Sequence, residues 1–332
     1  MDAVTARAVL LMAYGTPASL GDVEAYYTHV RHGRPPSTEL LAELAGRYVA
    51  IGGASPLLEV SHRQAAALEE ALGIPVVLGM KHAEPFIEAA LDSLILSGVE
   101  EIVGLVLAPH YSGMSVGAYE ERVRAHLASA PRPPRFRMIR SWHTAPGYLS
   151  LLARRVDDAL RRVPEELLGR THVLFTAHSL PESIVAAGDP YPSQLAETAR
   201  AVATITRWPA WSTAWQSAGR TGARWLGPDV LDALSELAAA GAAAVVVCPC
   251  GFVADHLEVL YDLDVEAAAR ADELGLVMVR TASPNDDPLF VDALAGVAGR
   301  ELDKVEDAAD CGCNGSCRVL AGMESALDKG GM

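Results

Sequence analysis

The stretch Ala243-Ala-Val-Val-Val-Cys248 is a continuous apolar run that ends at Pro249, and a longer helical pattern follows it. Seven further short runs, mostly apolar, alternate with helical patterns in the same way, at residues 8–13, 75–79, 102–108, 136–140, 172–177, 212–216 and 276–280. Runs in which apolar residues are not confined to alternate positions predict strands buried on both faces, as in a parallel sheet covered by helices. The sequence therefore predicts an α/β fold with Rossmann-like, doubly wound sheets.

The two halves of the chain resemble each other. Ala13-Tyr-Gly-Thr-Pro17 matches Ala177-His-Ser-Leu-Pro181, and three further pairs lie at nearly constant offsets: Pro85 with Pro228, Pro109 with Pro249, and Met138 with Met278. Chance similarity between any two α/β halves is the alternative to a duplication. Under either interpretation the strand pattern predicts two similar domains with a cleft between them, at the carboxyl ends of the strands.

We place the N-terminal α/β half at residues 1–143, the C-terminal half at 144–305 and a cysteine-bearing tail at 306–332. The first half has extra residues, which we assign to an insertion at about 18–58. The insertion carries Arg31, Arg34 and Arg47, in a chain that is otherwise short of positive charge.

The composition narrows the class of protein. The 332 residues carry 27 Lys plus Arg against 42 Asp plus Glu, a formal net charge of −15. This balance disfavours binding to nucleic acid or anionic lipid through non-specific attraction. No apolar run approaches the roughly 20 residues of a membrane span, and residues 1–7 lack the basic-then-apolar order of a secretory signal. We expect a soluble, cytoplasmic protein.

Two features near the expected cleft can carry chemistry. His178 follows a predicted strand, where an imidazole can exchange protons near neutral pH. Glu258, Asp262 and Glu266 are spaced by four residues, which places three carboxylates along one helical face and suits a hydrated divalent cation. The alternatives are a structural histidine and a solvated acidic face.

The five cysteines are unevenly placed. Cys248 and Cys250 flank Pro249, and Cys311, Cys313 and Cys317 lie within seven residues of each other in the tail. An odd, clustered count favours metal ligation over a disulfide framework. Four sulfur ligands suit zinc or an iron-sulfur cluster. We favour Cys250 over Cys248 as the fourth ligand, because Cys248 closes a buried strand and Cys250 lies beyond it.

Taken together, these segments resemble the ferrochelatase family, whose members insert ferrous iron into a porphyrin. The resemblance extends to about residue 300 and is carried by long motifs: MAYGTP at 12–17, YYTHVRHGR at 26–34, RYVAIGGASPL at 47–57, GMKHAEPFIEAAL at 79–91, APHYS at 108–112, TAHSLP at 176–181, AWQSAGRTGARWLGPDV at 214–230 and GFVADHLEVLYDLD at 251–264. The chain is most similar to the short bacterial members that act on coproporphyrin III. Its cysteine tail resembles the [2Fe-2S] extension of some other members.

The resemblance implies that the chain inserts Fe²⁺ into coproporphyrin III to give coprohaem, as a monomer without a membrane span. It implies His178 and Glu258 as catalytic residues, and these two with Asp262 and Glu266 as the iron path. The implied porphyrin contacts are Tyr14, Arg31, Arg47, Tyr48, Ser55 and Tyr119. It favours a [2Fe-2S] cluster over zinc on Cys250, Cys311, Cys313 and Cys317.

Several alternatives stay open at this point. The substrate could be protoporphyrin IX, or another tetrapyrrole and another metal, and a haem carrier would keep the porphyrin contacts without needing the acidic row. The sequence does not decide whether His178 or Glu258 binds iron first.

Overall fold

Parallel strands form two four-stranded sheets in the computed structural model, which describes residues 6–219 and 222–304. The first sheet consists of β1 (Arg7–Ala13), β2 (Val76–Met80), β3 (Glu101–Val106) and β4 (Arg135–Ile139). The second sheet consists of β5 (Thr171–His178), β6 (Trp211–Gln216), β7 (Ala244–Cys248) and β8 (Val277–Arg280). All eight predicted strands are confirmed, and the largest difference is the end of β3, predicted at residue 108 and found at 106.

The two sheets have the same topology. The strand orders are β2-β1-β3-β4 and β6-β5-β7-β8, and every pairing is parallel. In each sheet the order reverses at the central pair, β1 with β3 and β5 with β7. Such a reversal opens a crevice beyond the carboxyl ends of those strands. The predicted α/β architecture with two similar halves is therefore confirmed, and the two crevices are formed by equivalent strands.

Twelve α-helices occupy the described residues. In the first half these are α1 (Val23–Val30), α2 (Thr38–Ala50), α3 (Leu57–Leu72), α4 (Ile87–Leu96) and α5 (Ala118–Leu127). They are followed by α6 (Pro146–Leu160), α7 (Ser183–Ala186), α8 (Tyr191–Thr206), α9 (Val230–Ala239), α10 (Leu257–Leu260), α11 (Ala268–Glu273) and α12 (Pro288–Leu302). Short 3₁₀-helices lie at Leu20–Asp22 and Glu165–Arg170, and π-helices at Gly113–Gly117 and Asp262–Ala267. None of these helices combines the length and hydropathy that crossing a membrane requires.

Helices cover both faces of each sheet, which explains why the strands are apolar throughout. On β1, Leu11 belongs to a core shared by both halves, whereas Leu10 belongs to a separate core on the outer face of the first sheet. On β5, Phe175 and Leu174 divide in the same way. Successive side chains of a strand point to opposite faces. Since both faces are buried here, polar residues at alternate positions would be buried as well.

α6 and α12 each pack against the sheet other than the one that they follow in sequence. α6 follows the first sheet in sequence but packs on α8 and β7. α12 follows the second sheet but packs on α3 and on the β3 and β4 strands of the first sheet. At its end, the carbonyl of Leu302 accepts a hydrogen bond of 2.9 Å from Arg7 of β1. Residues 288–302, which the sequence division assigns to the C-terminal half, thus lie on the first sheet.

The insertion at about 18–58 contains α1 and α2. Ser37 caps α2 by accepting a hydrogen bond of 3.3 Å from the backbone N–H of Leu40. Tyr26, Tyr27 and Tyr48 of these helices turn toward the space between the sheets. The insertion therefore forms one wall of the cleft.

The chain that leaves β7 crosses directly over the end of β5. The N–H of Gly251 donates a hydrogen bond of 3.0 Å to the carbonyl of Thr176. A Cβ at residue 251 would lie 2.5 Å from the Cβ of Ala177 and 2.7 Å from its Cα. Only glycine fits this crossing without displacing β5.

Gly251→Ala should therefore lower the free energy of unfolding by about 1–3 kcal/mol, the usual cost of overpacking. Urea unfolding followed by circular dichroism measures the change. Gly46→Ala is the matched control, because a Cβ there meets nothing within 4 Å in the middle of α2. That variant should be as stable as the wild type or more stable by up to about 1 kcal/mol. Equal stability of the Gly251 variant and the wild type would contradict the close crossing.

Candidate active site

A cavity of about 470 Å³ lies between the carboxyl ends of the two sheets. The first half contributes Tyr14, directly after β1, and Tyr119 on α5. The second half contributes His178 at the end of β5 and Glu258 on α10. A cavity of this size and mixed lining is typical of a small-molecule site.

His178 and Glu258 form an ion pair inside the cavity. Nε2 of His178 lies 3.4 Å from Oε1 of Glu258, and each side chain is 34% exposed. The carbonyl of Glu258 accepts a hydrogen bond of 2.7 Å from Gln216 at the end of β6, which holds α10 against the second sheet. The sheet thus positions both partners.

A second imidazole, which the sequence analysis did not select, flanks the same carboxylate. Nε2 of His256 lies 3.6 Å from Oε2 of Glu258. Residues two apart do not share a helix face, so the spacing gave no signal. His256 precedes α10 in extended backbone, with φ −159° and ψ −178°, and this brings its ring back to Glu258.

Hydrogen bonds fix the orientation of both imidazoles. Nδ1 of His178 contacts the carbonyl of Ser179, and Nδ1 of His256 lies 3.0 Å from the carbonyl of Ala254. A carbonyl only accepts, so each Nδ1 carries the hydrogen. Both Nε2 atoms therefore face Glu258 and the cavity.

The pair is charged at neutral pH. Burial lowers the pKa of the His178 imidazole, but the charge of Glu258 and its hydrogen bond outweigh this and raise that pKa from 6.5 to about 9. Burial raises the pKa of the Glu258 carboxyl, and the two imidazoles more than offset it, so the pKa falls well below its usual range. The result is an imidazolium beside a carboxylate.

The acidic row spans two helical segments rather than the single helix that its spacing predicts. Glu258 lies on α10, whereas Asp262 and Glu266 lie on the π-helix Asp262–Ala267. The N–H of Glu266 bonds the carbonyl of Tyr261 at 3.0 Å, five residues earlier, as in a π-turn. Asp262 is only 5% exposed, so a purely solvated acidic face does not describe the row.

Asp262 contacts the insertion as well as the second sheet. Ser217 donates a hydrogen bond to Oδ2 of Asp262, and Nη1 of Arg47 lies 3.6 Å from Oδ1. Burial and the charge of Glu258 raise the pKa of Asp262 from 3.8 to about 7, against the opposing effects of Ser217 and Arg47. Asp262 is therefore held by one group from the insertion and one from the second half.

Tyrosines dominate the wall opposite His178. Tyr14 is 44% exposed into the cleft. The hydroxyl of Tyr48 lies 3.2 Å from Oγ1 of Thr16, and burial raises the pKa of Tyr48 to about 12. Tyr26 donates a hydrogen bond of 3.3 Å to the carbonyl of Gly15. These hydroxyls are protonated at neutral pH and give the wall an apolar surface with polar edges.

Four of the six predicted porphyrin contacts line the cavity: Tyr14, Tyr48, Ser55 and Tyr119. The two arginines lie beside it. The guanidinium of Arg31 lies 5.6 Å from the ring centre of Tyr27, and Arg47 pairs with Asp262. The structure thus brings four of the six residues to the cavity wall, and the roles of all six in binding stay predictions.

The sequence analysis missed Lys81, which also lines the cavity. Its Nζ lies 5.2 Å from the ring centre of Tyr119, and in the described part of the chain it has no carboxylate partner. Burial and the nearby charge of Arg122 lower the pKa of Lys81. Its position directly after β2, inside the motif GMKHAEP, was the available signal.

The burial of Cys250 bears on its predicted role as a ligand of the cluster. Cys250 has no exposed area, and its thiol lies 3.8 Å from the carbonyl of Thr176 within the core shared by the two halves. Cys248 is equally buried. Cys311, Cys313 and Cys317 lie outside the described residues. Tail thiols would reach Cys250 only if the core opened, so this geometry disfavours Cys250 as the fourth ligand.

Comparisons with known proteins agree with this fold and show the family. The sequence profile of the ferrochelatase family matches residues 6–302. The chain is 45% identical over 302 residues to the coproporphyrin III ferrochelatase of Geobacillus sp. strain WCH70, covering 89% of this chain and 97% of that one. It is 43% identical to the ferrochelatase of Herpetosiphon aurantiacus over 296 residues, covering 87% and 97%. In fold it is similar to SirB from Bacillus subtilis with Fe³⁺, with a TM-score of 0.55 at 14% identity over 89% of this chain and 95% of that one.

The family profile and the curated relatives make this two-lobed α/β protein a metal chelatase. The chain belongs to the ferrochelatase family.

Because of Glu258, the imidazole of His178 should titrate near pH 9 rather than 6.5. In Glu258→Gln the carboxylate charge is lost and burial dominates, so the pKa of His178 should fall below 6.5. Histidine side-chain NMR from about pH 5 to pH 10 measures both values, and His178→Ala assigns the resonance. A wild-type pKa at or below 6.5 would show that the two side chains do not form an ion pair.

Proposed function

We propose that this chain inserts ferrous iron into coproporphyrin III, giving coprohaem. The observation that carries the proposal is the His178 and Glu258 pair on one wall of the cleft, 3.4 Å apart, opposite a wall of tyrosines. The coproporphyrin III ferrochelatase of Geobacillus, 45% identical over nearly its whole length, supports the same conclusion.

Insertion makes three chemical demands. A free-base porphyrin is planar, carries two protons on its central nitrogens and must receive a metal ion that has lost its water. A cleft between two packed sheets can hold the macrocycle bent, so that its nitrogen lone pairs tilt out of the plane. We assign the bending to the walls that carry Tyr14 and His178.

Proton removal falls to the groups that face the centre of the cleft. At neutral pH His178 is already protonated, so Glu258 is the acceptor available first, and His256 lies 3.6 Å behind it to pass the proton on. His178 can accept a proton only after it has passed its own to the carboxylate of Glu258, 3.4 Å away. General bases act here through geometry first and pKa second.

The acidic row supplies the metal. Carboxylates bind ferrous iron loosely compared with thiolates, which suits delivery rather than storage. Glu266, Asp262 and Glu258 lie on successive turns that end beside His178. We propose that the ion moves inward along this row as substrate.

The choice of porphyrin depends on the side chains at the cleft that can bind its carboxylates. Coproporphyrin III has four propionates and protoporphyrin IX has two. Lys81, Ser55 and Tyr119 line the cavity and can donate hydrogen bonds to carboxylates, in a chain of net charge −15. Arg31, stacked on Tyr27 of the lining, and Arg47, next to Tyr48, add positive charge beside it. Lys81, a half-buried cation beside Tyr119, favours a ligand that carries carboxylates.

The test is an anaerobic assay of the full-length protein with Fe²⁺ and each porphyrin, followed by absorption. We expect turnover, with a higher kcat/KM for coproporphyrin III than for protoporphyrin IX. His178→Ala should lower kcat by at least about 100-fold while the porphyrin Kd changes little.

His172→Gln, on the same strand and bonded to Ser212 away from the cavity, is the matched control and should keep wild-type activity. Porphyrin binding without turnover in the wild type would indicate a carrier, and a preference for protoporphyrin IX would overturn the substrate.

We propose separately that the tail at 306–332 binds a [2Fe-2S] cluster, on the resemblance of its cysteine spacing alone. Full-length protein prepared anaerobically should contain iron and acid-labile sulfide and absorb in the visible range. Cys313→Ser should lose both. Because the thiol of Cys250 is sealed in the core, we expect Cys250→Ser to keep the cluster. Loss of the cluster in Cys250→Ser would restore the predicted ligand, and bound zinc without sulfide would exclude a cluster.

A further inference from the structure

Arg47 connects the insertion to the acidic row. Its guanidinium lies 4.9 Å from the ring centre of Tyr261, and its Nη1 lies 3.6 Å from Oδ1 of Asp262. Arg47 belongs to α2, where its neighbours Leu44 and Tyr48 line the cavity. The guanidinium therefore stands between the edge of the cavity and the row.

In this arrangement Asp262 is closed to a metal ion. Its side chain is 7% exposed. Ser217, held at a left-handed φ of 61°, donates a hydrogen bond to Oδ2. Oδ1 is buried and has no hydrogen-bond partner in the described residues, with Arg47 in front of it. Oδ2 is thus occupied by Ser217, and a cation that comes along the row cannot reach Oδ1 until Arg47 moves.

The contacts of Arg47 are loose enough to be exchanged. Nη1 is 3.6 Å from Asp262 and Nη2 is 3.4 Å from Glu43, both longer than the roughly 2.8 Å of a charge-assisted hydrogen bond. A carboxylate at the edge of the cavity could accept two parallel N–H bonds from the same planar fork. One guanidinium cannot keep this geometry with that carboxylate and stay in front of Asp262.

We propose that Arg47 is a latch on the acidic row, which a carboxylate of the porphyrin opens. The substrate carboxylate replaces Asp262 as the partner of Arg47, and the freed Asp262 becomes a ligand for the incoming divalent ion. This inference rests on the proposed function and adds an order to it, porphyrin before metal. By reciprocity, a cation bound to Asp262 must strengthen porphyrin binding by the same factor.

Porphyrin affinity of metal-free protein separates the latch from a simple metal ligand. In buffer alkaline enough to ionise Asp262 in the wild type, Asp262→Asn removes the charge that holds Arg47, so coproporphyrin III should bind about fivefold more tightly, at the lower end of typical coupling. Fluorescence quenching of the porphyrin measures the Kd. Asp264→Asn is the matched control: it makes the same change on the same π-helix, but Asp264 pairs with Arg280 at 2.6 Å. Its Kd should equal that of the wild type. In Arg47→Ala, adding Asp262→Asn should bring no gain.

A second measurement does not depend on how a variant folds. Mn²⁺ added to wild-type protein should tighten coproporphyrin III binding by a similar factor, with the absorption spectrum checked for metal insertion. An unchanged Kd in Asp262→Asn, or no effect of Mn²⁺, would overturn the latch even if the wild type turns over normally. Absence of porphyrin binding and turnover in the wild type would instead overturn the proposed function.

Discussion

The hydrogen bond from Gly251 to Thr176 is the contact on which the geometry of the site depends. It ties the segment after β7 to the end of β5, where the two backbones are too close for any side chain at residue 251. From this crossing the chain reaches His256 and then Glu258, which are thereby delivered to His178. The position of the His178 and Glu258 pair is thus tied to one backbone crossing in the second half.

Positively and negatively charged side chains lie on different walls of the cleft. The chain has three lysines. One of them, Lys81, lines the cavity in the first half, in the same wall as Tyr48 and Tyr119. The second half presents the carboxylates. The two sets meet at Arg47 and Asp262, where an arginine from the insertion covers an acid of the row. A ligand that is an anion at its rim and accepts a cation at its centre matches this division.

The strands could be predicted because burial on both faces requires apolar residues at every position, as in residues 244–248. His178 and Glu258 could be predicted because long motifs accompany them and because parallel strands end at one edge of a sheet. His256 could not, since its contact with Glu258 depends on extended backbone before α10. Neither could the pairing of Arg47 with Asp262, residues 215 positions apart whose contact depends on how the insertion packs on the second half. The packing of α12 on the first sheet could not be predicted either, because α12 follows the second sheet in the sequence.

The exchange of α6 and α12 has a mechanical consequence. Each lobe carries a helix whose chain continues from the other lobe, and the contact is reinforced by Arg155 of α6, which lies 2.6 Å from Asp287 at the start of α12. Opening the lobes like a hinge would strip apolar residues of both helices from a core that the lobes hold in common. The shared core therefore opposes any hinge motion that would change the spacing between the walls. The two lobes are also expected to melt together in one transition, since neither retains a complete core without the other's helix.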